Sequence, residues 1–154
     1  MVAKIKGIFV RDNVSAENKG LARQMYSKSR FGEVKQGKIQ YSLVEGAYLL
    51  EKKKIDVVDY RGKKLKFDGF LRRVRRIQSN FWIRYCVFRD LRNRGYIVKT
   101  ALKFGADFRV YERGIKPGKG HAKWIVYPFM NLKALHGMNF LLKTELHILQ
   151  ERIC

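Results

Sequence analysis

Acidic residues are scarce. Thirteen Asp and Glu stand against thirty-four Lys and Arg, for a formal net charge of +21 at pH 7. So thin a supply of carboxylates, scattered along the chain, argues against a two-metal catalytic site, which needs several of them together. Cysteine is as rare: Cys86 and Cys154 are the only two, and neither sits in a CxxC pair. Neither a disulfide framework nor a thiolate zinc site is expected, and a reducing, cytoplasmic setting fits. No apolar run approaches the ~18 residues that a membrane span requires, so the chain is expected to be soluble, with no membrane partner. The first ten residues alternate like a strand and lack the apolar core and small-residue cleavage site of a signal peptide. Also missing are the GxxxxGK[ST] loop, the GxSxG elbow and the HExxH pair, so nothing points to nucleotide hydrolysis, serine-hydrolase or zinc-peptidase chemistry. There is no internal repeat and no low-complexity run.

What is present is positive charge on a chain that can fold. Its 154 residues are 46% hydrophobic, enough for one ordinary domain or two small ones with a real core. The charge is concentrated: from Arg61 to Lys103 fourteen Lys and Arg face only Asp68 and Asp90. A solvated basic surface would account for some of this. The alternative is a phosphate-binding face, where Lys and Arg displace the counterions of a nucleic acid. Charge alone distinguishes neither RNA from DNA nor binding from cutting.

The periodicity predicts an α+β chain. A strand at Ile5–Val10 is followed by a polar stretch. Gly32 and Gly37 flank Glu33-Val-Lys-Gln, a hairpin or tight loop, and residues 37–41 form a short strand. Ser42-Leu-Val-Glu45 is a capping box that starts a helix through Leu50. Ile55–Val58 is a strand and Arg61–Lys64 a turn, so that residues 1–68 make a small N-terminal α/β module. Asp68 is a candidate N-cap for a helix to about Ile77, with Phe70, Leu71, Val74 and Ile77 at helical spacing and arginines opposite. Ser79 opens a second helix with Phe81, Trp82, Tyr85, Cys86 and Phe88 near its buried side, stopped by Gly95 in the left-handed conformation. Strands are expected at 96–100, 107–111 and 121–127, a helix at 131–142 and a last strand at 145–150. Residues 69–154 thus read as a second domain, a mixed sheet flanked by helices.

The chemistry-bearing residues lie around one loop. Tyr111 ends a predicted strand, Gly114, Pro117, Gly118 and Gly120 follow it, and His121 stands ten residues on, where the loop meets the next strand. Loops mounted on a rigid sheet are where function collects. Cleavage of RNA through the ribose 2′-hydroxyl needs a base for that proton, an acid for the departing 5′ oxygen and a cation for the charge on phosphorus. Histidine, with an ordinary pKa near ~6.5, suits the acid. Tyrosine, near ~10, serves as a base only where positive charge lowers it. The cation would be a lysine or arginine from elsewhere in the chain. The bland reading stays open: a strand-end tyrosine packs, and a loop-edge histidine is surface. His136 and His147 are expected to be structural, and Trp124 is ambiguous.

One resemblance spans these residues. The pattern RDLRxRGYIVKTxLKFGADFRVYxRG, followed by GHxKWxVY, resembles the catalytic half of the archaeal tRNA-splicing endonucleases over about residues 70–130. Residues 41–51, YSLVEGAYLLE, are more loosely similar to an N-terminal helix of that family.

The resemblance implies a restriction-nuclease-like C-terminal catalytic domain. It also implies an enzyme that cuts precursor tRNA at bulge-helix-bulge intron borders without a metal or other cofactor, leaving a 2′,3′-cyclic phosphate and a 5′-hydroxyl. The family's tyrosine base falls on Tyr111 and its histidine acid on His121. Its lysine falls in the region of Lys143, the only lysine close to the last strand; Lys133 and Arg152 are alternatives. Arg109, Arg113, Lys116, Lys119, Lys123 and Lys133 are the candidate RNA contacts. The family's base-clamping arginine has no clear counterpart, since this region offers only Lys133 and His136. Family members continue through an acidic loop into a further strand, whereas this sequence ends at Ile153-Cys154. The expectation is therefore a catalytic subunit of a heteromeric, heterotetrameric enzyme with a second, structural endonuclease subunit. A non-catalytic RNA-binding subunit and a general RNA-binding protein remain the alternatives.

Overall fold

In a computed structural model, residues 3–100, 107–115 and 117–128 are described, together with the backbone of 147–149. The chain divides into two compact units, Met1–Phe81 and Trp82–Cys154. Each is α+β, in agreement with the expected class.

The first unit is built on a six-stranded sheet in the order β3-β4-β2-β1-β5-β6. Its strands are β1 (Ile5–Val10), β2 (Asn13–Glu17), β3 (Glu33–Lys35), β4 (Lys38–Ser42), β5 (Ile55–Val58) and β6 (Lys64–Leu65). The sheet is mixed: β1 and β5 run parallel, and the other neighbours are antiparallel. Strand alternation sends Ile5, Val14, Ile39, Tyr41, Ile55 and Val57 into the core. Helices α2 (Leu43–Glu51) and α3 (Phe67–Ile77) contribute Val44, Leu49, Phe70 and Val74 to it. Gly46 sets how closely α2 sits on β2, because a Cβ there would lie 2.9 Å from Val14 Cγ2.

Two elements escaped the sequence reading. The polar stretch after β1 holds β2 and helix α1 (Gly20–Ser29). Strand β2 turns only Val14 and Ala16 inward, with Asn and Ser outside, so its apolar signal is faint. Helix α1 buries only Ala22 and begins at Lys19 with no side-chain cap, so neither a stripe nor a start signal marks it. The short β6 was also absorbed into the expected turn. Asp68 is not the N-cap of α3; Lys66 holds that position without a side-chain hydrogen bond, and Asp68 lies inside the first turn. There its charge suits the positive helix end without capping it. Ile77, expected on the buried stripe, is 48% exposed.

The capping box at α2 is present, and it reaches further than the motif requires. Glu45 N donates to Ser42 Oγ at 3.4 Å, and Glu45 Oε2 accepts from Ser42 N at 2.9 Å. The other carboxylate oxygen accepts from Gly32 N at 3.0 Å, which ties the helix start to the β3–β4 hairpin. That hairpin turns at Gln36 and Gly37, both at positive φ (50° and 74°), the primed geometry that matches strand twist. A second carboxylate holds the β5–β6 turn. Asp59 Oδ1 accepts from Arg61 N (3.0 Å) and Lys63 N (2.9 Å), and Oδ2 accepts from Arg73 Nη2 of α3 (2.8 Å). Burial pushes the Asp59 pKa up, but these donors outweigh it and leave it below its ordinary value.

The second unit carries α4 (Phe81–Asn93) and a four-stranded sheet ordered β10-β9-β8-β7. Its strands β7 (Ile97–Thr100), β8 (Phe108–Tyr111), β9 (Trp124–Tyr127) and β10 (His147–Leu149) all pair antiparallel. The expected helix at 131–142 lies outside the described residues. Tyr85, Val87 and Phe88 of α4 are buried, with Phe88 against Phe108 of β8 at 5.8 Å between ring centroids. Helix α4 ends as its glycine predicted. Gly95 N donates to Arg92 O and Tyr96 N to Leu91 O, a Schellman close with Gly95 at φ 90°. Among the described residues no helix is long and apolar enough to cross a membrane.

Glu45→Ala should cost about 2–3 kcal/mol, because it strands the Gly32 amide in the interior, whereas Ser42→Ala should cost about 1 kcal/mol. Urea denaturation of the two variants tests that order. Asp59 gives a pH signature. A carboxylate whose pKa is lowered by folding stabilises the chain above its unfolded value of about 3.9 and loses that contribution as pH falls through the lower folded value. Asp59→Asn should therefore lower the urea midpoint at pH 7, and the gap from the parent chain should close toward pH 2.

Candidate active site

The β7–β8–β9 sheet carries the loop that the sequence singled out. Lys99 of β7 stands opposite Arg109 of β8, which stands opposite Ile125 of β9. The β8–β9 ladder continues one step toward the loop, where Lys123 N donates to Val110 O at 2.9 Å. Tyr111 is the last residue of β8, and His121 lies two residues before that final rung. The two are thus on opposite limbs of one loop. Tyr111 is 4% exposed, while His121 is exposed.

The loop between them is folded on itself. Ile115 N donates to Glu112 O at 3.2 Å, closing a turn that passes through Gly114 at φ 79°. Pro117 and Gly120 form an isolated bridge around Gly118 at φ 89°. Ile115 lies over Gly120, where an added Cβ would stand 2.8 Å from Ile115 Cγ2. At the base, Glu112 of one limb pairs with Lys123 of the other. Beside that pair, cations and aromatic rings alternate. The Lys123 ammonium lies 4.8 Å from the Trp124 ring centroid, Trp124 meets Tyr96 edge-to-face at 5.5 Å, and the Arg113 guanidinium lies 5.5 Å from the Tyr96 centroid. Such contacts are worth about 0.5–1 kcal/mol each at exposed sites, so together they fix the limb that bears His121 relative to β7.

Below the loop, the buried Arg84 of α4 pairs with Asp107 at the head of β8, and its guanidinium lies 5.6 Å from the Phe108 centroid. A charge this buried is retained only with a partner. Sequence reasoning passed over Arg84, Asp107 and Tyr96. For Arg84 and Asp107 no local spacing betrays the pair, since they are twenty-three residues apart. For Tyr96 the signal was present: an aromatic just after the helix-stopping Gly95, in a stretch rich in arginine.

Of the expected RNA contacts, Arg109 is half-buried, and Arg113, Lys119 and Lys123 are exposed around the loop. Lys116, Lys133 and Lys143 lie outside the described residues, so the expected lysine has no position relative to Tyr111 and His121. Tyr41 is the contrasting tyrosine. It is fully buried, and burial, followed by the charge of Glu45, pushes its phenol above the ordinary value, which makes it core rather than a base. Among the described residues no three of His, Cys, Asp and Glu are grouped to hold a metal ion.

Residues 5–71 match the N-terminal domain of tRNA intron endonuclease, and residues 81–144 match its catalytic C-terminal domain. The chain belongs to the tRNA intron endonuclease family, a family of enzymes. It is 45% identical to a tRNA-splicing endonuclease of Thermococcus onnurineus over 75% of this chain and 66% of that protein. It is 34% identical to a tRNA-splicing endonuclease of Methanothermobacter thermautotrophicus over 89% of this chain and 79% of the relative. With one of Nanoarchaeum equitans it shares 45% identity over 56% of this chain and 59% of the relative. The family the sequence resembled is thereby established, and tRNA intron cleavage is its characteristic activity.

Proposed function

We propose that this chain cuts precursor tRNA at bulge-helix-bulge intron borders by metal-independent transesterification, as the catalytic subunit of a heteromeric enzyme. Tyr111 takes the proton from the ribose 2′-hydroxyl, and the 2′ oxygen attacks the adjacent phosphorus. His121 gives a proton to the 5′ oxygen as the P–O5′ bond breaks. Lys143 holds the negative charge that builds on the non-bridging oxygens. The products are a 2′,3′-cyclic phosphate and a 5′-hydroxyl. Arg109, Arg113, Lys119 and Lys123, with Lys116 and Lys133, would hold the phosphates on either side. The observation that carries this reading is the loop. A phenol and an imidazole flank one self-closed, cation-rich turn in a domain that matches the family's catalytic one.

A second reading is a non-catalytic, RNA-positioning subunit. The burial of Tyr111 favours it, because a general base must meet its proton. Cleavage decides between them. Cutting of a bulge-helix-bulge RNA in EDTA, lost by at least a hundredfold in His121→Ala, is the expected result. Under conditions where chemistry limits, the rate should fall as rising pH removes the imidazole proton. Binding without cutting, even with an added partner subunit, would establish the second reading.

Lys143→Ala should reduce kcat by at least tenfold and leave RNA affinity nearly unchanged, because one charge among many adds little to binding but can be decisive in the transition state. Single-turnover rates at saturating enzyme separate the two effects. An equal loss in affinity and rate would make Lys143 a simple phosphate contact.

A further inference from the structure

Tyr60 is 77% exposed, more than any other large hydrophobic side chain among the described residues. It does not stand on a loose loop. The β5–β6 turn is the one that Asp59 holds: Gly62 N donates to Asp59 O and Asp59 N to Lys63 O, both at 2.9 Å, while the carboxylate binds two turn amides and Arg73 of α3. The ring is therefore mounted on a braced turn and presented to solvent. Beside it the Arg61 guanidinium lies 5.2 Å from the ring centroid. The neighbouring chain is basic, with Lys63 and Lys64 following on the turn and on β6, and Arg72, Arg75 and Arg76 exposed on α3. The carboxylates nearby in sequence are mostly engaged: Asp59 as above, and Asp56 by Lys4 and Lys64. Asp68 is the exposed acid on α3.

An exposed aromatic ring on a braced turn, with a guanidinium beside it and cations around it, suits a ligand that is flat, apolar on its faces and anionic along its backbone. An unpaired nucleotide has those properties, whereas a paired one has its faces covered by its neighbours. We infer that Tyr60 and Arg61 form a stacking site for an unpaired nucleotide of the RNA, supplied by the N-terminal unit and separate in sequence from the cleavage loop. The inference rests on the RNA-cleaving reading for its ligand. The ring would contribute stacking, and Arg61 would contribute charge to the adjoining phosphate.

The test measures the affinity of the full chain for a bulge-helix-bulge RNA, and for a short unstructured oligoribonucleotide, across a salt series. Tyr60→Ala should weaken binding of both by about tenfold with the salt slope unchanged, since stacking releases no counterions. Tyr60→Trp should bind as the parent does. Arg61→Ala should weaken binding and also flatten the salt slope. Parental affinity of Tyr60→Ala for both RNAs overturns the site. So does a change in sedimentation of that variant with RNA affinity intact, which would make Tyr60 a protein contact. If the parent fails to cut even with an added partner subunit, but Tyr60→Ala still loses oligoribonucleotide affinity, the stacking site stands and the cleavage reading falls. A parent that binds neither RNA removes both.

Discussion

A chain with a net charge of +21 repels itself, and its few carboxylates are where that repulsion is relieved in the fold. Several of them each hold more than one group. Glu45 closes the start of α2 and the β3–β4 hairpin with the same side chain. Asp59 binds two turn amides and a helix guanidinium. Asp56 accepts both Lys4 and Lys64, Asp107 answers the buried Arg84, and Glu112 answers Lys123. Where a carboxylate is buried and multiply hydrogen-bonded, its removal strands donors as well as charge, which is the expensive case. The structural acids are thus committed inward or to ties.

That division shapes the candidate site. The loop between Tyr111 and His121 has three glycines and a proline and would be costly to order by packing alone. Order comes instead from short-range closures: the Glu112–Ile115 turn, the Pro117–Gly120 bridge, Ile115 over Gly120, and the Glu112–Lys123 pair. The β8–β9 rung at Val110 and the Arg113–Tyr96–Trp124–Lys123 series then couple the loop to the sheet. Preorganisation of this kind is what a phosphate-cleaving site needs, because the gain comes from groups already aimed where charge develops.

The elements with strong local signals were legible in the sequence. Ser42 with Glu45 and Gly95 after α4 each carry a backbone requirement that few residues meet, so sequence and structure agree there. Strand β2 and helix α1 carry no such signal. Val14 and Ala16 alone mark the inner face of the strand, and α1 buries one alanine, so their existence is decided by the neighbouring strands and not by their own pattern. Asp68 misled because a first-turn acid and an N-cap acid look alike in sequence. At the candidate site, Tyr111 and His121 stand out in the sequence because they bracket a loop and match a family pattern. The tie between Arg113 of the loop and Tyr96 was not found, because the fold and not the local spacing brings the two together.

Lys123 shows how the fold itself makes use of a cation beside the loop. It was expected to contact RNA, and in the folded chain it is bound to Glu112 and lies over Trp124. The pair is about half exposed on both sides, at 47% and 43% of the side-chain surface. An exposed pair of this kind is worth only about 0–1 kcal/mol. A phosphate, which carries a full charge and several acceptor oxygens, can take the ammonium from Glu112 at small cost, and the stem of Lys123 can stay on the indole while the head group moves. The displaced Glu112 carboxylate would then stand beside that phosphate and repel it, so the net gain at Lys123 would be smaller than at an unpaired lysine.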